Sequence, residues 1–186
     1  MIEKILETES GNIHYWISEN FRNECGTIFF LHGLTASHDL FVNQIEYFSK
    51  DYNVTVWDAP AHGLSRPYKD FTYEKAALAA VQILKDNYIK EAAFVGQSMG
   101  GFITQSVLKR FPEYVKCFVS LDSTPLEKNI TPGPTDGGLG RSSGCQLFIL
   151  TRRFVRLLPS SAPQPRGPIR TCFRCYLYMI KRSCAI

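Results

Sequence analysis

Histidine is absent from everything after residue 62. The four present are His14, His32, His38 and His62. Any chemistry that draws an imidazole base from the later part of the chain is excluded. Acid is nearly absent from the last stretch as well. Residues 131–186 hold one acidic residue, Asp136, against one Lys and eight Arg, a net of +8. Residues 1–130 hold 12 Lys and Arg against 16 Asp and Glu, a net of −4. The overall charge of +4 therefore averages two unlike parts and gives no reason to expect a nucleic-acid partner. No apolar run approaches 18 residues, which excludes a transmembrane helix by pattern. The stretch Met1-Ile2-Glu3-Lys4-Ile5-Leu6-Glu7 alternates charge and apolarity and carries no signal-peptide core, so a cytoplasmic location is expected. No internal repeat is present. A zinc site needs about four ligands, and the lone Cys172-Phe173-Arg174-Cys175 pair does not supply them, so no metal is expected.

What is present is a soluble-protein composition, 45% hydrophobic and 20% charged over 186 residues, enough for one domain with a core. Ile2 to Glu7 and Ile13 to Ile17 predict a hairpin around Glu9-Ser10-Gly11-Asn12. Thr27 to Leu31 is a continuous apolar run, as in a strand buried on both faces. Ser37 or Asp39 caps a helix that runs to about Lys50. Tyr52 to Trp57 predicts the next strand. Thr72 or Tyr73 opens a long helix to about Asp86, with Ala76, Ala77, Ala80, Val81 and Leu84 at helical spacing. Glu91 to Val95 predicts a strand, Gly101 to Arg110 a helix, and Val115 to Leu121 the sixth strand. Strand and helix alternate from residue 27 on, which predicts βαβ units and a mainly parallel α/β sheet. Ligands in such sheets bind beyond the carboxyl ends of the strands. His32, Asp58, His62, Ser98 and Asp122 all fall there.

One stretch concentrates the chemistry: Gly96-Gln97-Ser98-Met99-Gly100, between a strand and a helix. A sharp strand-to-helix turn can hold a serine out at its tip. Glycines two before and two after it remove the side chains that would collide. The serine then meets a helix N-terminus, whose unpaired N–H groups favour developing negative charge. Two glycines and a serine at these offsets arise by chance in roughly one chain in twenty of this length, so the motif needs its context.

The context resembles the α/β-hydrolase superfamily across about residues 1–126. His32-Gly33 after a buried strand resembles the family's oxyanion-loop motif. Asp58-Ala59-Pro60-Ala61-His62-Gly63-Leu64-Ser65 resembles its D-x-P-G-H-G-x-S stretch, with Ala61 where glycine is usual. Gly96 to Gly100 resembles the nucleophile elbow. The resemblance implies that Ser98 attacks an ester, thioester or amide carbonyl and forms an acyl-enzyme. It implies that the backbone N–H groups of Leu34 and Met99 form the oxyanion hole, and that a small-molecule acyl substrate is hydrolysed without metal or organic cofactor.

The family supplies its base as a histidine after the serine, in the order Ser, acid, His. None follows Ser98 here. The family's sheet has eight strands and the pattern places six, so the fold is expected to be incomplete at its C-terminal side. His62 lies on the correct face but out of order, and its family role is to shape the loop that follows residue 57. His32 is expected to order its own loop. His14 and His38 are read as surface or hairpin residues, and Asp122 as a loop cap near the crevice rather than the acid.

The chain accordingly divides into 1–130, the N-terminal part of an α/β-hydrolase domain, and 131–186, an atypical tail rich in Arg, Pro and Cys. That tail holds six of ten prolines and four of six cysteines. Its composition predicts a shifted reading frame, a misjoined exon or a truncation. Within it, Cys145 to Leu158 is read as a short basic amphipathic helix and Thr171 to Ile180 as a strand or helix. A non-catalytic binding module that keeps the crevice and a basic membrane-associated protein acting through the tail are the competing functional readings.

Overall fold

Strands 27–31 and 53–57 carry no exposed residue at all. That is the burial expected where helices cover both faces of a parallel sheet. The computed structural model describes residues 1–123 and, as strands, 147–151 and 155–156. The reading of 171–180 and the Cys172–Cys175 pair lie outside the described residues.

The elements run β1 Ile2–Thr8, β2 Gly11–Ile17, β3 Thr27–Leu31, a 3-10 turn His38–Phe41 leading into α1 Val42–Phe48, β4 Asn53–Trp57, α2 Tyr73–Asp86, β5 Ala92–Gln97, α3 Met99–Arg110 and β6 Val115–Leu121. Two further strands follow, β7 Leu147–Thr151 and β8 Val155–Arg156. The sheet order is β1-β2-β4-β3-β5-β6-β7-β8. β4, β3, β5 and β6 pair in parallel, and β1, β2, β7 and β8 join antiparallel. The six expected strands and the mainly parallel sheet are therefore present.

The helix reading of 145–158 is corrected. The backbone forms strands over 147–151 and 155–156, with Cys117 to Leu121 of β6 opposite Thr151 to Leu147. An apolar run of strand length beside an unpaired sheet edge satisfies more backbone groups as a strand than as one short helix. The spaced arginines suggested helical amphipathicity, and that signal is weaker than the open edge.

Alternation along β3 divides the core. Phe29 and Leu31 point to the α2 and α3 side, where they meet Ala80, Leu84, Ile103 and Val107. Ile28 and Phe30 point to the α1 side, with Phe41, Phe48, Val54 and Val56. Thr72 caps α2 through its hydroxyl, which accepts from the Lys75 N–H at 3.1 Å. Ser37 does the same for the 3-10 turn, accepting from Asp39 N–H. Each central strand thus delivers its C-terminal residue to one edge of the molecule. Leu31, Trp57, Gln97 and Leu121 end there, and the candidate site begins one residue later.

Candidate active site

Ser98 follows β5 directly and precedes the first residue of α3. Its backbone sits at φ +48 and ψ −112, a conformation that costs an L-residue about 1–3 kcal/mol unless neighbours enforce it. The neighbours are visible. Ser98 N–H donates to the Leu121 carbonyl at 2.8 Å, and the Gly101 N–H donates to the Ser98 carbonyl at 2.9 Å. The buried Ser123 hydroxyl donates to the same carbonyl at 2.8 Å. Close packing does the rest. A Cβ on Gly96 would lie 2.5 Å from the Gly100 carbonyl, and one on Gly100 would strike the Leu31 carbonyl. Both glycines are therefore required sterically, at the spacing the sequence shows.

The loop after β3 comes up against this turn. A Cβ on Gly33 would overlap the Gln97 side chain and lie 3.3 Å from Ser98 Cβ. Gly33 and Ser98 are thus side by side. Leu34 is next in the chain and its side chain is 66% exposed. Met99 is buried and is the first residue of α3, so its N–H has no intrahelical carbonyl to meet. The structure brings Ser98, Met99 and the Gly33–Leu34 loop together at one end of the sheet.

The family model described as alpha/beta hydrolase fold matches residues 26–141, which contain this whole arrangement. The chain belongs to the α/β-hydrolase fold family. It is 31% identical over 124 residues to an uncharacterized hydrolase, YugF, of Bacillus subtilis, covering 65% of this chain and 44% of that protein. It is 26% identical over 106 residues to the pimeloyl-[acyl-carrier protein] methyl ester esterase of Wigglesworthia glossinidia brevipalpis, covering 56% and 39%. A solved structure titled as an N-acyl homoserine lactone degrading enzyme superposes with a TM-score of 0.59 at 26% identity, over 64% of this chain and 45% of that one. The chain thus spans less than half the length of each of these relatives.

In this member of the fold family the histidines divide by surroundings. His32 is fully buried. Its Nε2 accepts from the Ala59 N–H at 2.9 Å, so the ring proton is on Nδ1 and donates to the Gly33 carbonyl at 2.8 Å. Burial pushes its pKa below the ordinary value, against the Gly33 bond that favours the charged ring. Both nitrogens are committed to backbone, as expected for a loop-ordering residue. His62 is buried and donates from Nδ1 to the Pro60 carbonyl at 2.9 Å. Its ring meets His32 and Phe71 edgewise, at 5.5 and 6.2 Å between centroids. His14 pairs with Glu3 across the β1–β2 hairpin at 2.7 Å, where the pattern put it.

His38 departs from its reading as a surface residue. Its ring stacks on Trp16 at 3.6 Å, and its Nδ1 donates to Asp58 Oδ1 at 2.8 Å. Asp58 is 1% exposed. It also accepts from the His38 backbone N–H at 2.8 Å and from the Leu64 N–H at 2.7 Å. Burial alone would raise its pKa. The bonds from Leu64 and His38 outweigh burial, and the carboxyl is held below its usual range. The Ser65 hydroxyl donates to the Asp58 carbonyl at 2.6 Å and accepts from the His14 N–H at 2.9 Å. Asp58 and Ser65 therefore lock the two loops to each other and to β2. No pattern around residue 38 signals this, because the partners lie 20 and 22 positions away.

Asp122 lies one residue past β6 at φ +53, exposed, with no hydrogen bond or ion pair among the described residues. The loop position is as expected, but the capping role is not, since the carboxylate accepts no hydrogen bond among the described residues. The Ser98 hydroxyl likewise has no hydrogen-bond partner among the described residues. Sequence reasoning missed Ser123, whose buried hydroxyl ties the elbow to the end of β6. A serine after Asp122 carries no motif that would have found it. Among the described residues no group of His, Cys, Asp and Glu is placed to hold a metal, and no helix is long and apolar enough to cross a membrane.

Proposed function

We propose that this chain carries the nucleophilic half of a serine hydrolase acting on a carboxylic ester or related acyl bond of a small molecule. Ser98 Oγ bonds to the acyl carbon, and the carbonyl π electrons move to its oxygen. That oxygen lies against the N–H groups of Met99 and Leu34. The carbonyl re-forms, the C–O bond to the leaving group breaks, and that group departs as the alcohol with the proton that Ser98 Oγ gives up; water then cleaves the acyl-Ser98 to the free acid and returns a proton to the serine oxygen. The chemistry calls for no metal or organic cofactor. The observation that carries the reading is the strained Ser98 conformation beside Gly33 at a helix N-terminus. The printed activities of the hydrolase relatives support it at the level of class.

Proton removal from Ser98 needs a base. No histidine follows Ser98 in the chain, and His32 has both ring nitrogens occupied. Losing one member of such a unit costs about 10⁴–10⁶ in turnover, with about 10³–10⁴ over water left from oxyanion stabilisation and binding. Slow or absent turnover is therefore expected of the 186-residue chain. In this reading residues 1–130 are the N-terminal part of the hydrolase domain and 131–186 an atypical tail.

The Ser98 hydroxyl, without a hydrogen-bond partner among the described residues, favours a second reading, a binding module that keeps the crevice without the reaction. A fluorophosphonate probe separates the two. Labelling of folded protein that disappears in Ser98→Ala supports the nucleophile, at a rate lowered by the same missing base, because attack on phosphorus also removes the Ser98 proton. Absence of labelling in folded protein would replace the hydrolase reading with the binding module.

A further inference from the structure

Ser98 stands on a closed circuit of contacts that the acyl chemistry does not use. The Phe102 N–H reaches the Ser98 carbonyl at 3.3 Å, which places Phe102 one helical turn along. Phe102 meets Tyr73 edgewise at 5.9 Å, and Tyr73 meets Phe71 at 5.8 Å. Phe71 meets His62 at 6.2 Å, and His62 meets His32 at 5.5 Å. The chain then returns through Gly33 to Ser98 Cβ. Phe71 and Tyr73 rest on the core below, yet Phe71, Tyr73 and Phe102 each keep part of their surface open. No carboxylate, ammonium or guanidinium belongs to the circuit, and the His32 ring is neutral because its Nε2 accepts a backbone N–H.

We infer that this aromatic arc is the wall that receives the acyl part of the substrate, and that it selects an unbranched apolar acyl group of several carbons over a short or charged one. The inference rests on the serine-hydrolase reading of Ser98. A charged acyl group would lose hydration against aromatic carbon and find no counter-charge among the rings of this circuit. Each methylene that leaves water against these rings favours the longer ester by roughly fourfold. The wall begins one turn from the nucleophile, so the first few carbons beyond the carbonyl are the ones it reads. Edge-to-face rings leave flat faces of carbon between them, a shape suited to a chain.

The test uses p-nitrophenyl alkylphosphonates, methyl to hexyl, on the full chain. The rate constant for Ser98 labelling is expected to rise with alkyl length. The hexyl-to-methyl ratio is expected to fall toward one in Phe102→Ala and in Tyr73→Ala, and to persist largely in Phe102→Leu, with circular dichroism confirming the fold of each. A flat length profile in the wild type overturns the inference and leaves the hydrolase reading standing. An unchanged ratio in both folded alanine variants overturns it too. If no phosphonate labels Ser98, the hydrolase reading fails on its own. Binding of methyl acetate against methyl hexanoate to Ser98→Ala, followed by NMR titration, then decides the wall. Tighter binding of the hexanoate sustains it, and equal or absent binding of the two overturns it.

Discussion

Replacing Asp58 with asparagine should unlock the loops after β3 and β4 from each other. The carboxylate accepts three N–H groups, from Leu64 at 2.7 Å and from the His38 backbone and ring at 2.8 Å each. Hydrogen bonds to a charged partner contribute about 1.5–3 kcal/mol apiece. Asparagine keeps one oxygen and turns an NH₂ toward donors that need an acceptor. At least one charged bond is lost and one buried N–H is left facing a donor. Part of that loss is offset, because the wild-type carboxylate carries a burial cost that a neutral amide does not. The net expectation is about 3 kcal/mol, a large share of the ~5–15 kcal/mol that holds a domain folded.

The assay is urea unfolding at pH 7, with the midpoint falling by roughly 1–2 M. Its pH dependence supplies a second check. Asp58 has a folded pKa below the unfolded value of about 3.9. Its contribution is therefore fully present above that value and is lost as the pH falls through the folded pKa. The gap between wild type and Asp58→Asn should stay constant from pH 7 to pH 5 and close toward acid. A gap no larger than the ~0.5 kcal/mol typical of surface substitutions would refute the claim that Asp58 locks the loops.

Three further outcomes follow from single positions. Ala61 sits at φ +66, so Ala61→Gly should raise stability by about 1 kcal/mol; a lower urea midpoint would contradict this. Ser98→Gly trades a strained residue for one that adopts the conformation freely, and should raise the unfolding midpoint by an amount equivalent to about 0.5–2 kcal/mol while abolishing probe labelling. A stability loss in Ser98→Gly would argue that the turn is not strained. His32 has a folded pKa below the unfolded value of about 6.5, so the unfolded chain takes up the proton first. Stability should fall as the pH drops below about 6.5, and the fall should be smaller in His32→Gln; equal pH slopes in the two proteins would rule out His32 as the cause.

Much of this was legible in the chain because its signals are local. The alternation of apolar runs with helical stripes gave β3 to β6 and α1 to α3 in order, and the glycines at 96 and 100 marked the turn whose sterics demand them. Three things were not legible. The pairing of His38 with Asp58 and Trp16 joins residues 20 and 22 positions apart, so it depends on the β2–β4–β3 arrangement. Ser123 acts through a hydroxyl aimed at a backbone carbonyl, which any small polar residue could mimic in a sequence. The strands at 147–151 and 155–156 form against an edge that exists only after β6 is in place, while arginines at helical spacing pointed locally to the other element.

The elbow and its activation are physically separable in this molecule. Ser98 is fixed from three sides: by the Leu121 carbonyl, by the Ser123 hydroxyl, and by glycine contacts between β5, α3 and the loop after β3. Every one of those groups lies at or before residue 123. The turn therefore reaches its strained geometry without a base or acid bonded to Ser98 Oγ among those groups. The base belongs to a different problem, because an imidazole within hydrogen-bond reach of Ser98 Oγ has to arrive from another segment after the sheet has formed. On the proposed reading the chain holds the nucleophile's shape without its activation, since geometry and proton transfer are supplied by different parts of the fold. That separation is why the unfolding midpoint of Ser98→Gly, rather than labelling or turnover, reports on the part of the site these residues build, since attack on phosphorus and attack on an acyl carbon both remove the Ser98 proton.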